Sequence, residues 1–222
     1  MPALLARAAA NIKMSNTTMQ LLLPRLEAYR QQLPVSELSG ERKAVLQKLI
    51  DYIQSRKKEH KEVKLNFICT HNSRRSQFSQ IWAKTAADYY GIDVQTYSGG
   101  VEVTAFNERA VAAVERAGFH VTKKEKQTNP VFFIFNSEDG EPITAFSKLY
   151  DDPANATTNF SAVMTCSHAE ENCPYIPGTE ARIPVMYDDP KAFDDTELEA
   201  VKYDERCQQI ATEMFYVFSQ IK

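Results

Sequence analysis

Cys69 stands six residues before Arg75, a C-x5-R spacing. The stretch around it, LNFICTHNSRRSQFSQIW (65–82), passes from an apolar strand pattern through short polar and basic residues into a helical one. A loop of that length between a strand and a helix can turn its backbone N–H groups onto an anion. The helix adds unpaired N–H groups and the positive end of its dipole. Arg75 offers a planar fork that grips two oxygens of a tetrahedral oxyanion. The same positive field favours the thiolate of Cys69, Ser76 is placed to hydrogen-bond it, and Asn72 suits a left-handed loop residue. Thr70, His71, Asn72, Ser73, Arg74 and Arg75 are thus the expected oxyanion loop, with Arg74 an accessory or surface charge. A thiolate in such a cradle is a nucleophile toward phosphate-like substrates. The plain alternative is a buried cysteine at a strand end with an arginine nearby by coincidence. The preceding strand, the following helix, Asn72 and Ser76 weigh against it.

A second group of reactive residues lies in VMTCSHAEENCPYIPG, where Cys166 ends an apolar run and Cys173 follows seven residues later, before Pro174. Two cysteines joined by a short loop can pair when it folds or partly unwinds. They can then relay an oxidising equivalent: Cys166 attacks an adduct on Cys69, and Cys173 attacks Cys166. On spacing alone, two merely buried cysteines compete with this reading. A metal site of Cys166, His168 and Cys173 matches no common zinc spacing and lacks a fourth ligand, so no metal is expected. In MYDDPKAFDD, Asp189 precedes Pro190, which biases it to extended backbone on a loop, and a carboxylic acid there can protonate a departing oxygen. Asp152, before Pro153 in the similar LYDDPAN, is the rival candidate, set aside because it falls in an insertion described below.

These residues need elements to hold them. VKLNFIC (63–69) reads as a strand, 76–90 as a helix, VQTYS as a short strand and 107–117 as a helix. FSAVMTC and EARIPVM read as strands, and 196–221 as a closing helix. Leu198, Val201, Cys207, Ile210, Met214, Val217 and Ile221 mark one apolar face of that last helix, so Cys207 belongs to the core. Strands alternating with helices predict a parallel four-stranded sheet flanked by helices, an α/β fold. VFFIFNSEDGEPITAFSKLY (131–150) breaks the alternation with two apolar runs around Asp-Gly, which predicts a β-hairpin insertion. Residues 1–62 differ from the rest. TTMQLLLPRLEAYRQQL predicts a helix bent or interrupted at Pro24, and 36–62 a second helix ending in a solvated charge run, RKKEHKE. The predicted organisation is a helical extension over 1–62, packed on the main domain or on a second subunit, and a catalytic domain over 63–222.

Composition bounds the partners. The chain has 222 residues, 43% hydrophobic and 25% charged, with net charge −3. That balance speaks against nucleic acid, whose phosphates call for a basic surface. No apolar run approaches the ~20 residues of a membrane span, and MPALLARAAANIK is too short in its apolar part for a secretory signal. Met14 is an alternative start. Four scattered cysteines do not make a secreted disulfide scaffold, so a soluble cytoplasmic protein is expected and the sequons at Asn16 and Asn155 carry no meaning.

CTHNSRRS resembles the phosphate-binding loop of the low-molecular-weight protein tyrosine phosphatase superfamily, and CSHAEENCP followed by YDDPKA resembles its thioredoxin-coupled arsenate reductase branch. VQTYSGGVE and FNERAVAAVERAGFHV follow the same pattern. The resemblance covers 63–222 and implies a low-molecular-weight phosphatase-like fold. It implies Cys69 as nucleophile, Arg75 as the gripping arginine, Ser76 as the thiolate's partner, Cys166 and Cys173 as redox cysteines and Asp189 as the loop acid. The implied reaction reduces arsenate to arsenite, with a Cys166–Cys173 disulfide reduced by thioredoxin and no cofactor. Three positions depart from the family. His71 replaces Gly, whose backbone freedom it lacks, and Arg74 replaces a small or apolar residue. Members of the branch often bind potassium through Asn and Glu; Asn72 and Ser98 match, but Gln80 replaces the Glu, so no ion is expected. The alternative is a phosphatase acting on phosphotyrosine or small phosphoesters through Cys69, Arg75 and Asp189, although no paired tyrosines follow the Asp-Pro. A non-catalytic oxyanion-binding protein is the third reading.

Overall fold

Segments of five or six residues that alternate with helices become the strands of the main sheet. In the computed structural model, which describes residues 21–124, 128–172 and 175–222, these are Lys64–Cys69 (β1), Gln95–Gly100 (β2), Phe160–Met164 (β6) and Thr179–Pro184 (β7). They pair in the order β2-β1-β6-β7, all parallel. β1 is central and buried from Leu65 to Cys69, which is why its sequence is a continuous apolar run broken only by Asn66. Arg75–Tyr89 (α3), Glu108–Arg116 (α4) and Glu199–Ser219 (α6) are the main helices, with α3 packed on both the sheet and α6. Asn107 caps α4, its side-chain oxygen accepting from the Arg109 N–H at 3.0 Å. The parallel α/β architecture read from the alternation is the one observed. Among the described residues no helix is long and apolar enough to cross a membrane.

Three sequence expectations change. The predicted hairpin is present as the antiparallel pair Val131–Phe135 (β4) and Ile143–Ala145 (β5), but His120–Lys124 (β3) extends it to a three-stranded sheet in the order β3-β4-β5. β3 is polar and largely exposed, so it carried no apolar signal. The predicted apolar face of α6 also narrows. Cys207, Ile210, Met214 and Val217 are buried, whereas Leu198 and Val201 are each 50% exposed because the helix begins at Glu199 beyond the edge of the core. Finally, Pro24 starts the helix Pro24–Gln31 (α1) rather than bending it. Its fixed φ suits the first helical position, where a missing N–H costs nothing.

Gly40–Lys58 (α2) is capped by Ser39, whose hydroxyl accepts from the Arg42 N–H at 3.1 Å. Leu26 of α1 and Leu46, Leu49 and Ile53 of α2 are all 0% exposed, in one core with Phe67, Trp82 and Phe218. Each such side chain contributes about 1.5–3 kcal/mol by leaving water, so the two N-terminal helices share the stability of the core they help to form. Leu49→Ala is accordingly expected to cost about 2–5 kcal/mol. Denaturant unfolding followed by circular dichroism checks it, and the loss should appear as a shift of one transition. Trp82 anchors this region. It stacks on Tyr29 of α1 (centroids 5.7 Å, 19° between planes) and meets Phe119 edge-on at 4.9 Å. Its indole N–H donates to Cys207 Sγ at 3.2 Å. Burial pushes the Cys207 thiol up to about 12, which makes it an inert core residue.

Candidate active site

Cys69 is the last residue of β1, Arg75 the first of α3, and residues 70–74 turn between them at the C-terminal edge of the parallel sheet. The outer surroundings fix the direction of this turn. The Cys69 carbonyl accepts from the Val101 N–H (3.3 Å), Thr70 from the Glu102 N–H (2.8 Å) and Ser73 from the Asn107 N–H (3.0 Å). The His71 carbonyl accepts from the Ser147 hydroxyl (2.8 Å) and Asn72 from the Gln77 amide (3.0 Å). A planar trans peptide points its N–H opposite to its C=O. Five carbonyls held outward therefore direct the paired N–H groups to the inside of the loop, which is the geometry of an anion cradle. Gly100 lies against this turn so closely that a β-carbon there would meet three backbone atoms: Glu102 O at 2.6 Å, Asn72 N at 2.8 Å and Thr70 O at 2.8 Å.

A chain of side chains leads to the sulfur. The Lys148 backbone N–H donates to Asn72 Oδ1 at 3.0 Å, which fixes the amide orientation. Asn72 Nδ2 then donates to Ser76 Oγ at 2.8 Å. With its oxygen accepting there, Ser76 has its own proton free for Cys69 Sγ, 3.1 Å away. Asn72 is the left-handed residue of the loop (φ 47°) and His71 is not, so His71 needs no glycine-like freedom. His71 Nε2 instead lies 3.2 Å from a carboxylate oxygen of Glu102. Cys69, Asn72 and Ser76 are all buried.

Arg74 and Arg75 share one carboxylate. Arg74 Nε donates to Asp189 Oδ1 at 2.8 Å and Arg75 Nη2 to Oδ2 at 2.8 Å, while Arg75 Nη1 reaches the Tyr187 carbonyl at 3.1 Å. Of the two roles expected for Arg74, accessory or surface charge, the surface one fails: Arg74 is 7% exposed and shares Asp189 with Arg75. Arg75 Nε is buried and has no partner among the described residues, which leaves one donor of the fork for a bound oxyanion. Asp189 also caps the 3-10 turn Pro190–Phe193, accepting from the Lys191 N–H at 3.1 Å. Burial pushes its carboxyl up, but the Arg75 and Arg74 guanidiniums outweigh this and hold it below the usual carboxylate range. As arranged here the two guanidiniums favour the carboxylate form of Asp189. Asp152 is spent on its own turn, accepting from the Ala154 N–H at 2.8 Å, and lies beyond β5 rather than in the insertion.

Cys166 lies beside the loop. It is 2% exposed, its sulfur is 3.4 Å from Thr70 Oγ1, and it accepts from the Ala169 N–H of the short helix Ser167–Asn172 (α5) at 3.4 Å. Thr70 Oγ1 is also 3.3 Å from His168 Nδ1. Cys173, the second redox candidate, lies outside the described residues.

The potassium ligands implied by the resemblance do not fit an ion here. Asn72 Oδ1 is taken by the Lys148 N–H, and Gln80 Oε1 by the Ser98 hydroxyl at 2.6 Å. The Gln80 NH2 group turns donors onto the Thr96 and Thr144 carbonyls at 3.3 and 3.4 Å. Gln80 and Thr96 line a cavity of about 390 Å³ together with Lys148. Lys148 is 4% exposed, with its ammonium 4.6 Å from the centre of the Phe146 ring. A hard cation needs free oxygens and negative charge; this place offers engaged oxygens and a lysine. Burial lowers the Lys148 pKa from 10.5 to about 8. Between those values the unfolded chain binds the extra proton, so this group makes stability rise with pH from about 8 to 10.5. Lys148→Met should remove that part of the rise, seen by comparing denaturation midpoints at about pH 7 and about pH 10.

Sequence reasoning passed over Ser147, Lys148, Gln77 and Gly100, which hold the loop from outside. Only Gly99-Gly100, a glycine pair ending a strand, gave a local hint. No family model matches the chain. An arsenate reductase of Bacillus cereus (strain ZK / E33L) is 29% identical over 137 residues, spanning 61% of this chain and 83% of that protein. One of Halalkalibacterium halodurans is 26% identical over 133 residues, spanning 60% and 78%. Among solved structures, a low-molecular-weight phosphotyrosine phosphatase of Vibrio cholerae O395 matches 71% of this chain and 95% of its own, at 11% identity and a TM-score of 0.49. At that score the fold rests on the strand order observed here. In sequence this chain is thus similar to arsenate reductases over about three fifths of its length, and its own strand order gives the parallel four-stranded sheet that the alternation predicted.

Proposed function

We propose that the chain reduces arsenate to arsenite. The observation that carries this over simple phosphoester hydrolysis is a second cysteine at the nucleophile's loop, Cys166 Sγ lying 3.4 Å from Thr70 Oγ1. The arsenate reductases among the relatives support the same substrate. Arsenate sits in the loop on the inward N–H groups and Arg75. The Cys69 thiolate, held by Ser76, attacks arsenic and one oxygen leaves as water. Asp189 supplies a proton to that oxygen: when the oxyanion takes the Arg75 guanidinium, Asp189 loses a neutralising partner and its pKa rises toward donor range. The Cys166 thiolate then attacks Cys69 Sγ. The S–As bond breaks, its electron pair stays with arsenic, and arsenite leaves as the Cys69–Cys166 disulfide forms. Cys173 attacks Cys166, freeing the Cys69 thiolate and leaving a Cys166–Cys173 disulfide for a dithiol reductant of the thioredoxin class. No cofactor takes part.

The test supplies the purified chain with arsenate, thioredoxin, thioredoxin reductase and NADPH, and separately with an aryl phosphate. Arsenate-dependent NADPH oxidation is the expected result. Aryl phosphate hydrolysis without it would replace this reading with the phosphatase one.

A further inference from the structure

We infer that the N-terminal helix α2 takes part in oxyanion binding, with its Arg42 acting as a positioning residue for Arg75. This rests on the Cys69 loop being the oxyanion site. Arg42 grips Glu213 of α6 with two bonds, Nε to Oε1 and Nη2 to Oε2, both 2.7 Å. Glu213 is 0% exposed on α6, a costly place for a carboxylate that serves packing alone. Its Oε2 accepts the Tyr187 hydroxyl at 2.7 Å, its Oε1 accepts the Gln209 amide at 3.0 Å, and the Arg42 guanidinium lies 4.9 Å from the centre of the Tyr187 ring. Tyr187 is therefore held at both ends, for its backbone N–H donates to the Thr165 carbonyl at the end of β6 at 3.1 Å. Its own carbonyl receives Arg75 Nη1, and two residues later Asp189 receives Arg74 and Arg75. The path Arg42–Glu213–Tyr187–Arg75 is continuous, and each step is a hydrogen bond between groups that are buried or partly so. α2 thus sets where the gripping fork rests before an oxyanion arrives, and a fork set in advance loses less freedom on binding.

The experiment titrates arsenate calorimetrically into the full chain carrying Cys69→Ser, which binds without reacting, alone and with Arg42→Met, Arg42→Lys, Tyr187→Phe or Arg42→Met with Tyr187→Phe. Each protein's melting temperature is measured alongside. Arg42→Met and Tyr187→Phe are each expected to raise the arsenate Kd about fivefold or more. Arg42→Lys, which keeps the charge, should recover much of the loss, and the double variant should fall short of the product of the two singles. An unchanged Kd in folded Arg42→Met and Tyr187→Phe, whatever happens to the melting temperature, would overturn the inference and leave Arg42 a packing residue. If Arg42→Met does not fold, Tyr187→Phe decides alone, since it leaves the Arg42–Glu213 pair intact. No arsenate binding by Cys69→Ser itself would instead overturn the reading of the Cys69 loop.

Discussion

Cys166→Ser is expected to abolish catalytic reduction of arsenate while sparing chemistry that needs Cys69 alone. Serine fills nearly the same space, and its hydroxyl can keep the contacts to Thr70 and the Ala169 N–H. Folding should therefore change little. A serine oxygen cannot accept the sulfur of Cys69 as a disulfide partner, so the electron pair that reduces arsenic has no source. Arsenate-dependent NADPH oxidation should fall on the order of a thousandfold or more, to background. Slow aryl phosphate turnover, if the wild type shows any, should stay within about threefold, because attack by Cys69 and the grip of Arg75 are untouched. Sustained NADPH oxidation in this variant would mean that Cys166 is a bystander and that the electrons come from elsewhere.

The second large effect comes from a residue with no reactive group. Gly100→Ala puts a methyl group where Glu102 O, Asn72 N and Thr70 O already stand at 2.6–2.8 Å. All three are backbone atoms of the loop or of the segment that anchors it, so none can rotate away. The loop must move, and with it the N–H groups aimed inward and the Asn72–Ser76–Cys69 chain. A displacement of about 1 Å is enough to cost on the order of a hundredfold in rate, with about 1–3 kcal/mol of stability lost to overpacking. Steady-state kinetics and thermal unfolding measured together check it. A rate near wild type would show that the loop tolerates a shifted wall.

The reactive residues were legible because they are local. C-x5-R between a strand and a helix is a pattern of spacing, and Asn72, Ser76 and Cys69 meet as their positions suggested. What was not legible came from distant pairings. Arg74 read as a spare charge because its partner Asp189 lies 115 residues away. The same contact holds the Asp189 carboxyl below its usual range, since charge on a titratable group depends on neighbours that no short motif contains. β3 was missed because an exposed edge strand shows no apolar alternation, and Glu213 because one acid in an apolar heptad is easily read as noise. Pro24 was misjudged in the opposite sense: the residue was weighed as a breaker when its position made it a starter.

The stacking of Trp82 on Tyr29 makes the chain its own optical gauge. Trp82 is the single tryptophan among 222 residues, so all indole emission comes from one place. That place is shielded from water by α1 on one side and by Phe119 and Phe215 on others. The Cys207 sulfur, 3.2 Å from the indole nitrogen, is close enough to quench it. Withdrawal of α1 should therefore appear as a shift of emission to longer wavelength. Separation of α3 from α6 should appear as a gain in intensity, so colour and brightness report two different motions from one unlabelled protein.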